Sequence, residues 1–229
     1  MILRMFTLFL EPEHPLQFSS NAFRSFLNKE LAEYSALPRN DSTRFIYRYP
    51  VLQCKQIKGD LLVTGISQGA DCLCQLTHDR PRVGAGENSC RITSRDPAIR
   101  PELFGVGDTT STYEFLTPWL ALNQQHAKKF YDLKGKPERD AFMQKLLTSH
   151  LHMLAKSLDY EITIPLMCEA KVRFKRERID RENAMVFLGR FQTNLRIPDY
   201  LGIGQLVSRG YGTIKCFRGS PDPSPGDSS

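Results

Sequence analysis

Apolar and polar positions follow two different periods along this chain. Residues 1–10 are almost continuously apolar, the pattern of a buried strand. Ser19 or Ser20 suits a helix N-cap, and Phe23, Phe26, Leu27, Leu31 and Tyr34 then recur at helical spacing to about Ala36. Residues 43–54 (TRFIYRYPVLQC) alternate and are rich in aromatic side chains, which predicts a strand interrupted at Pro50. A short buried strand over 61–66 and a short helix over 67–77 complete a βαββα order, most of a ferredoxin-like unit. Residues 79–111 are rich in turn formers and have room for one or two short strands.

The second half repeats this order. A strand near 112–117 precedes helices over Leu120–Leu133 and Pro137–Asp159, divided at Gly135 and Pro137. Met143, Leu147, Leu151, Leu154 and Leu158 form a core-facing stripe on the second helix. Strands over 161–176 and 184–197 read as a hairpin, followed by a Gly-rich loop at 202–212 and a last strand at 213–217. The expected fold class is α+β, with tandem ferredoxin-like (RRM-like) domains at 1–110 and 111–218, the junction near Gly105–Ser111. Residues 219–229 (GSPDPSPGDSS) read as a disordered tail. No residue-level repeat links the halves.

Composition narrows the class. The 229 residues are 41% hydrophobic and 24% charged, which excludes a disordered chain. No apolar run reaches the roughly 18 residues that span a bilayer. The apolar start is broken by Arg4 and followed by acidic residues, so it reads as a strand rather than a signal peptide, and a cytoplasmic protein with no membrane partner is expected. The six cysteines include no CxxC; Cys72, Cys74 and His78 lack a matching second half, so reduced cysteines and no metal or other cofactor are expected. Net charge is +6, and it is uneven. Residues 1–111 hold 13 Lys/Arg against 12 Asp/Glu, whereas 112–218 hold 18 against 11. A basic second half suits a polyanionic partner or a solvated basic surface.

Three stretches carry candidate chemistry. In IPDYLGIGQLVSRGYGTIK (197–215), Gly202, Gly204, Gly210 and Gly212 permit tight turns whose N–H groups face phosphate oxygens. Ser208 and Arg209 lie between them, Arg209 and Lys215 supply cations, and Tyr211 supplies a ring for a base. The spacing matches no nucleotide-binding motif, and a plain turn-rich loop is the alternative. In KVRFK, Lys171, Arg173 and Lys175 share one strand face at about 7 Å intervals, near the spacing of single-strand phosphates. Arg176, Arg178 and Arg181 fall in the expected hairpin turn. The alternative is an edge strand guarded by charge. In RFIYRYP, Phe45, Tyr47 and Tyr49 share one face and Arg44, Ile46 and Arg48 the other; that interleaving suits RNA, or an aromatic face turned to the core. The five histidines form neither HxxxH nor HExxH with a carboxylate in register. His150 borders the apolar stripe and reads as structural.

The closing glycine-rich stretch resembles the C-terminal signature of the RAMP superfamily, and more narrowly that of its CRISPR repeat-processing endoribonucleases of the type I-B kind. RFIYRYPVLQCKQI, GISQGADCL, YEFLTPWLALNQQHAKKFYDL and FLGRFQTNLRIPDYLGIG agree in order over residues 1–217. The resemblance implies tandem ferredoxin-like domains. It also implies binding of precursor and mature CRISPR RNA, possible contact with other interference-complex subunits, and one metal-independent cut at the base of the repeat stem. There a ribose 2′-hydroxyl attacks the adjacent phosphate and leaves a 2′,3′-cyclic phosphate. This needs a base, an acid and a cation for the phosphorane. Relatives commonly place histidine just before the YRYP-like strand, where this chain has Leu37, Pro38, Arg39 and Asn40. Arg39, Tyr47, Lys55 and His14 are therefore the catalytic candidates. Lys171, Arg173, Lys175, Arg178 and the loop residues from Gly202 to Lys215 named above are the RNA-binding candidates. A cleavage-deficient RNA-binding or structural subunit is the alternative.

Overall fold

The protein, as a computed structural model, is described over residues 1–12, 49–78, 82–83, 90–95, 99–179 and 182–218. The helix expected after Ser19 or Ser20, the first part of the strand expected at 43–54, and the tail lie outside these residues.

Strand β1 (Ile2–Pro12) is central to the first sheet. It pairs antiparallel with β3 (Asp60–Ile66), β5 (Cys90–Arg95) and β6 (Arg100–Leu103). Strand β2 (Leu52–Ile57) pairs with β3 and β4 (Arg82–Val83) with β5, so the path is β2-β3-β1-β5-β4. Its even-numbered β1 positions, Phe6, Leu8 and Leu10, are buried with Leu61, Val63 and the inner face of α1 (Gln68–Thr77). Leu3 and Met5, on the opposite face, join the core of the second half. The two halves thus share apolar burial.

The second sheet has the order β10-β7-β9-β8, from β7 (Gly105–Phe115), β8 (Cys168–Ile179), β9 (Glu182–Arg196) and β10 (Ile214–Cys216). Numbered within this half the order is 4-1-3-2, the ferredoxin-like arrangement; the Gly-rich segment stands where a second crossover helix would lie. Helix α3 (Lys136–Ser157) buries Met143, Leu146, Leu147, Leu151 and Leu154 against the sheet, close to the expected stripe. Two boundaries differ from expectation. Leu120–Leu122 are not helical: Trp119 exchanges backbone hydrogen bonds with Phe187 at 2.8 and 2.9 Å, which keeps this stretch on the sheet. Helix α2 (Gln124–Asp132) starts only after Asn123, whose Oδ1 accepts the His126 amide at 2.8 Å. The hairpin is also displaced: β8 begins after Pro165 and extends to Ile179, so Arg176 and Arg178 are strand residues and not turn residues. Among the described residues no helix is long and apolar enough to cross a membrane.

Trp119 stacks on Phe115 at 5.2 Å, and its Nε1–H donates to His150 Nδ1 at 3.2 Å, which requires a neutral imidazole. Burial, with His126 nearby, pushes the His150 pKa down to about 4. The unfolded chain therefore takes up this proton first, near pH 6.5, and stability falls as the pH drops from there toward 4. The loss is about 3 kcal/mol when complete. Denaturant unfolding of wild type and His150→Leu across pH 7 to 4 should show that slope in wild type only.

Candidate nucleic-acid interface

The Gly-rich segment is tied to both halves. The Tyr49 hydroxyl donates to the Gly202 carbonyl at 2.7 Å and accepts the Gly202 amide at 2.9 Å, so Tyr49 docks on the loop. Gly210, at φ 86°, lies against β2: a Cβ there would meet the Cys54 carbonyl oxygen at 2.8 Å and the Lys55 Cα at 3.0 Å. Its carbonyl accepts from the Thr117 and Thr213 hydroxyls at 2.6 and 2.9 Å. The Gly210 amide donates to Val207 O, and the Gly212 amide to Pro118 O. Gly202, Gly210 and Gly212 therefore hold the turn together and do not present their amides to phosphate, contrary to the expectation from their spacing. Gly204 is glycine because Trp119 and Leu120 crowd it. What the loop offers a ligand is its half-buried side chains: Ser208 and Arg209, on the short 3-10 turn Val207–Arg209, and Tyr211.

Lys55, on β2 beneath this turn, is 1% exposed. Its amine donates to Gln53 Oε1 at 2.6 Å, and Gln53 Nε2 donates to the Pro50 carbonyl at 3.1 Å. Burial brings its pKa down to about 7, against a weaker opposing effect of Cys54. An amine that exchanges its proton near neutrality is suited to acid–base work. Of the other catalytic candidates, His14, Arg39 and Tyr47 lie outside the described residues.

The cationic ribbon is the outer strand of the second sheet. Lys171, Arg173 and Lys175 share its face directed away from α3, and the Lys171 and Lys175 side chains are 80% and 53% exposed. They pair within the strand with Glu169 at 3.1 Å and Glu177 at 3.0 Å. The same face ends at Ile179, which is buried with Val186 and Leu120, and Tyr211 of the Gly-rich segment packs there. Ribbon and loop thus adjoin on one surface. Arg178 is the exception among the ribbon candidates. It sits at an odd spacing from Lys171, Arg173 and Lys175, and strand alternation turns it to the other face. Lys215, exposed on β10, donates to the Tyr200 hydroxyl at 3.3 Å.

Sequence reasoning missed two contributors. Tyr49 gave a signal, an aromatic in register with Tyr47, but its partner lies 153 residues away. Gln53 gave none.

Known proteins share this arrangement. A family model described as Cas6b N-terminal domain matches residues 1–100, and one described as Cas6b C-terminal domain matches residues 105–217. A solved structure titled "Crystal structure of Cas6b" is similar at TM-score 0.79 and 25% identity, covering 95% of this chain and 100% of that one. Another, titled "Crystal structure of CRISPR RNA processing endoribonuclease Cas6b", is similar at TM-score 0.73 and 26% identity with the same coverage. The uncharacterized protein MJ0978 of Methanocaldococcus jannaschii is 28% identical over 130 residues, 54% of this chain and 84% of that protein.

Proposed function

The chain belongs to the Cas6b family, and on that premise we propose a course for its reaction. It is a CRISPR repeat-RNA-processing endoribonuclease. It binds the repeat of precursor CRISPR RNA on the surface formed by the β8 ribbon and the side chains of the Gly-rich segment, and cuts once at the base of the repeat stem without a metal ion. The 2′-hydroxyl oxygen attacks the adjacent phosphorus, its proton passes to a base, and the bond from phosphorus to the 5′-oxygen breaks as that oxygen is protonated. Lys55 in its ammonium form supplies that proton. The base is drawn from His14 and Tyr47, and Arg39 stabilises the phosphorane.

The observation that carries this reading is the Lys55 amine, tuned to about 7 directly beneath the Gly210 turn. Because it is enclosed, RNA docking must part that turn from β2 before the acid acts. Residues 1–110 and 111–218 work as the two RNA-holding halves, the enzyme acts in the cytoplasm, and the product guide stays bound for hand-over to other interference subunits. Incubation with repeat RNA in EDTA tests the chemistry. A product ending in a 2′,3′-cyclic phosphate is expected, and cleavage only after a divalent ion is restored overturns it.

A second reading has its own observation. With the residue 1% exposed and its amine held by Gln53, Lys55 equally fits a structural role in a cleavage-deficient subunit that only holds RNA. Tight repeat binding with no product in any buffer selects that reading.

If the ribbon and loop touch phosphate, Arg173→Ala and Arg209→Ala each flatten the dependence of log affinity on log salt by roughly 0.7–0.9 for each phosphate no longer neutralised. Equilibrium binding across a salt series checks this, and unchanged slopes in both variants place the RNA elsewhere.

A further inference from the structure

Gln53 and Lys55 lie two residues apart on β2, on the face of the first sheet turned toward the second half. Direct opposition places Gln53 beside Thr64 on β3 and Thr64 beside Thr7 on β1, and all three are buried. The flanking positions on β3 and β1 are apolar: Ile66 and Met5 on one side, Leu62 and Phe9 on the other. Apolar side chains thus serve for packing in this layer, and a polar row within it needs another reason.

The Gln53 amide is committed at both ends. Its oxygen accepts from the Lys55 amine at 2.6 Å, and its nitrogen donates to the Pro50 carbonyl at 3.1 Å. The second bond fixes which end faces Lys55, because a turned amide would aim a donor at an ammonium. Pro50 is held from both sides. Tyr49 before it bonds Gly202 of the Gly-rich segment, and the Val51 carbonyl after it accepts the Ile66 amide at 2.8 Å. This commitment leaves the Thr64 hydroxyl, directly opposite Gln53 and fully buried, with no hydrogen-bond partner among the described residues. An unpaired buried hydroxyl is unfavourable, so the arrangement serves Lys55 at the expense of the sheet. An amide oxygen only accepts, and it bonds an ammonium more strongly than an amine, so Gln53 keeps a proton on a lysine that burial works to discharge. Among the described residues, the titratable and charged groups on the elements packed around Lys55 are Cys54 of β2, Tyr49, and Arg209 and Tyr211 of the Gly-rich segment; β3 opposes it with Leu62.

We propose that Gln53 is the positioning residue for Lys55, holding its ammonium ready for the departing 5′-oxygen from a backbone that Tyr49 ties to the Gly-rich segment. This rests on the reading of Lys55 as the general acid and names the residue that sets it. The test is the pH profile of single-turnover cleavage of repeat RNA by the full chain, with equilibrium RNA binding measured beside it. A general acid acts while protonated, so the rate falls as the pH rises past its pKa. Gln53→Glu sets a carboxylate against the ammonium and should move that fall up by about 1–3 units. Gln53→Met, of similar length and without an acceptor, should move it down by about one unit, a roughly ten-fold slower cut on the alkaline side. RNA affinity should stay within a few-fold of wild type in both, because Gln53 is buried. A smaller folded fraction lowers the whole profile without moving the fall, so a variant that folds poorly still reports. A fall that either variant leaves in place, or that both move the same way, overturns the inference. Where Lys55→Met is slow in the same assay, that result removes the positioning role alone; Lys55→Met cutting as fast as wild type overturns the acid reading beneath it.

Discussion

Lys55→Met slows cleavage of repeat RNA by about 10²- to 10⁴-fold, the range expected for removing a general acid, while affinity for the RNA stays within a few-fold of wild type. The amine is enclosed beneath the Gly210 turn and contributes nothing to the surface on which the RNA first docks. Its effect on stability has the opposite sign. In the folded protein Lys55 releases its proton near pH 7, and in the unfolded chain near 10.5. Between those values the unfolded state binds more protons, so this residue makes wild type more stable as pH rises through the window. The difference is roughly 5 kcal/mol at most. Lys55→Met lacks that slope, and at neutral pH it unfolds no more easily than wild type, because an apolar chain replaces an amine driven toward its neutral form. Single-turnover cleavage and denaturant unfolding between pH 7 and 10 measure the two effects separately. Cleavage within three-fold of wild type removes Lys55 from the mechanism. A pH-independent difference in stability removes the depressed pKa.

Gly212→Ala destabilises the protein by about 3 kcal/mol or more and disables RNA processing with it. Two costs add. At φ 64° an alanine adopts a backbone conformation that L side chains disfavour, which accounts for about 1 kcal/mol. The new methyl also falls well inside van der Waals distance of the Ile203 carbonyl oxygen, and that oxygen belongs to backbone that accepts no large shift: Ile203 N donates to Gly212 O at 2.9 Å. Overpacking of this kind costs about 1–3 kcal/mol. Gly59→Ala isolates the first cost, since Gly59 has φ 100° with nothing within 4 Å of the added atom. Thermal or denaturant unfolding should rank Gly212→Ala far below Gly59→Ala. If the two are equal, the crowding at Ile203 is relieved by a movement of the loop, and the account of that glycine fails.

These effects show which parts of the molecule are legible in residue order. The apolar run in LLVTGI and the stripe of Met143, Leu147, Leu151 and Leu154 are local patterns, and β3 and α3 follow them closely. The strand–helix–strand order is enough for the tandem ferredoxin-like arrangement, because short connections leave few ways to cover two antiparallel sheets. Leu120–Leu122 defeat the same kind of local reading. Their composition suits a helix, but pairing of Trp119 with Phe187, 68 positions along, outweighs a propensity of a few tenths of a kcal/mol per residue. Arg178 falls on a strand rather than in the expected turn because the end of a hairpin depends on where pairing stops, which no single strand encodes.

Residue order alone established two apolar-cored halves, a basic second half, a glycine-dense turn and a cationic strand, since each depends on spacing within one short segment. Which of these meet is a property of distant segments brought together: Tyr49 on Gly202, and β2 under Gly210. The chemistry of Lys55 belongs to this second kind. A lysine is an ordinary base in water, and only enclosure by residues from both halves removes the solvent that would keep its proton in place at neutral pH.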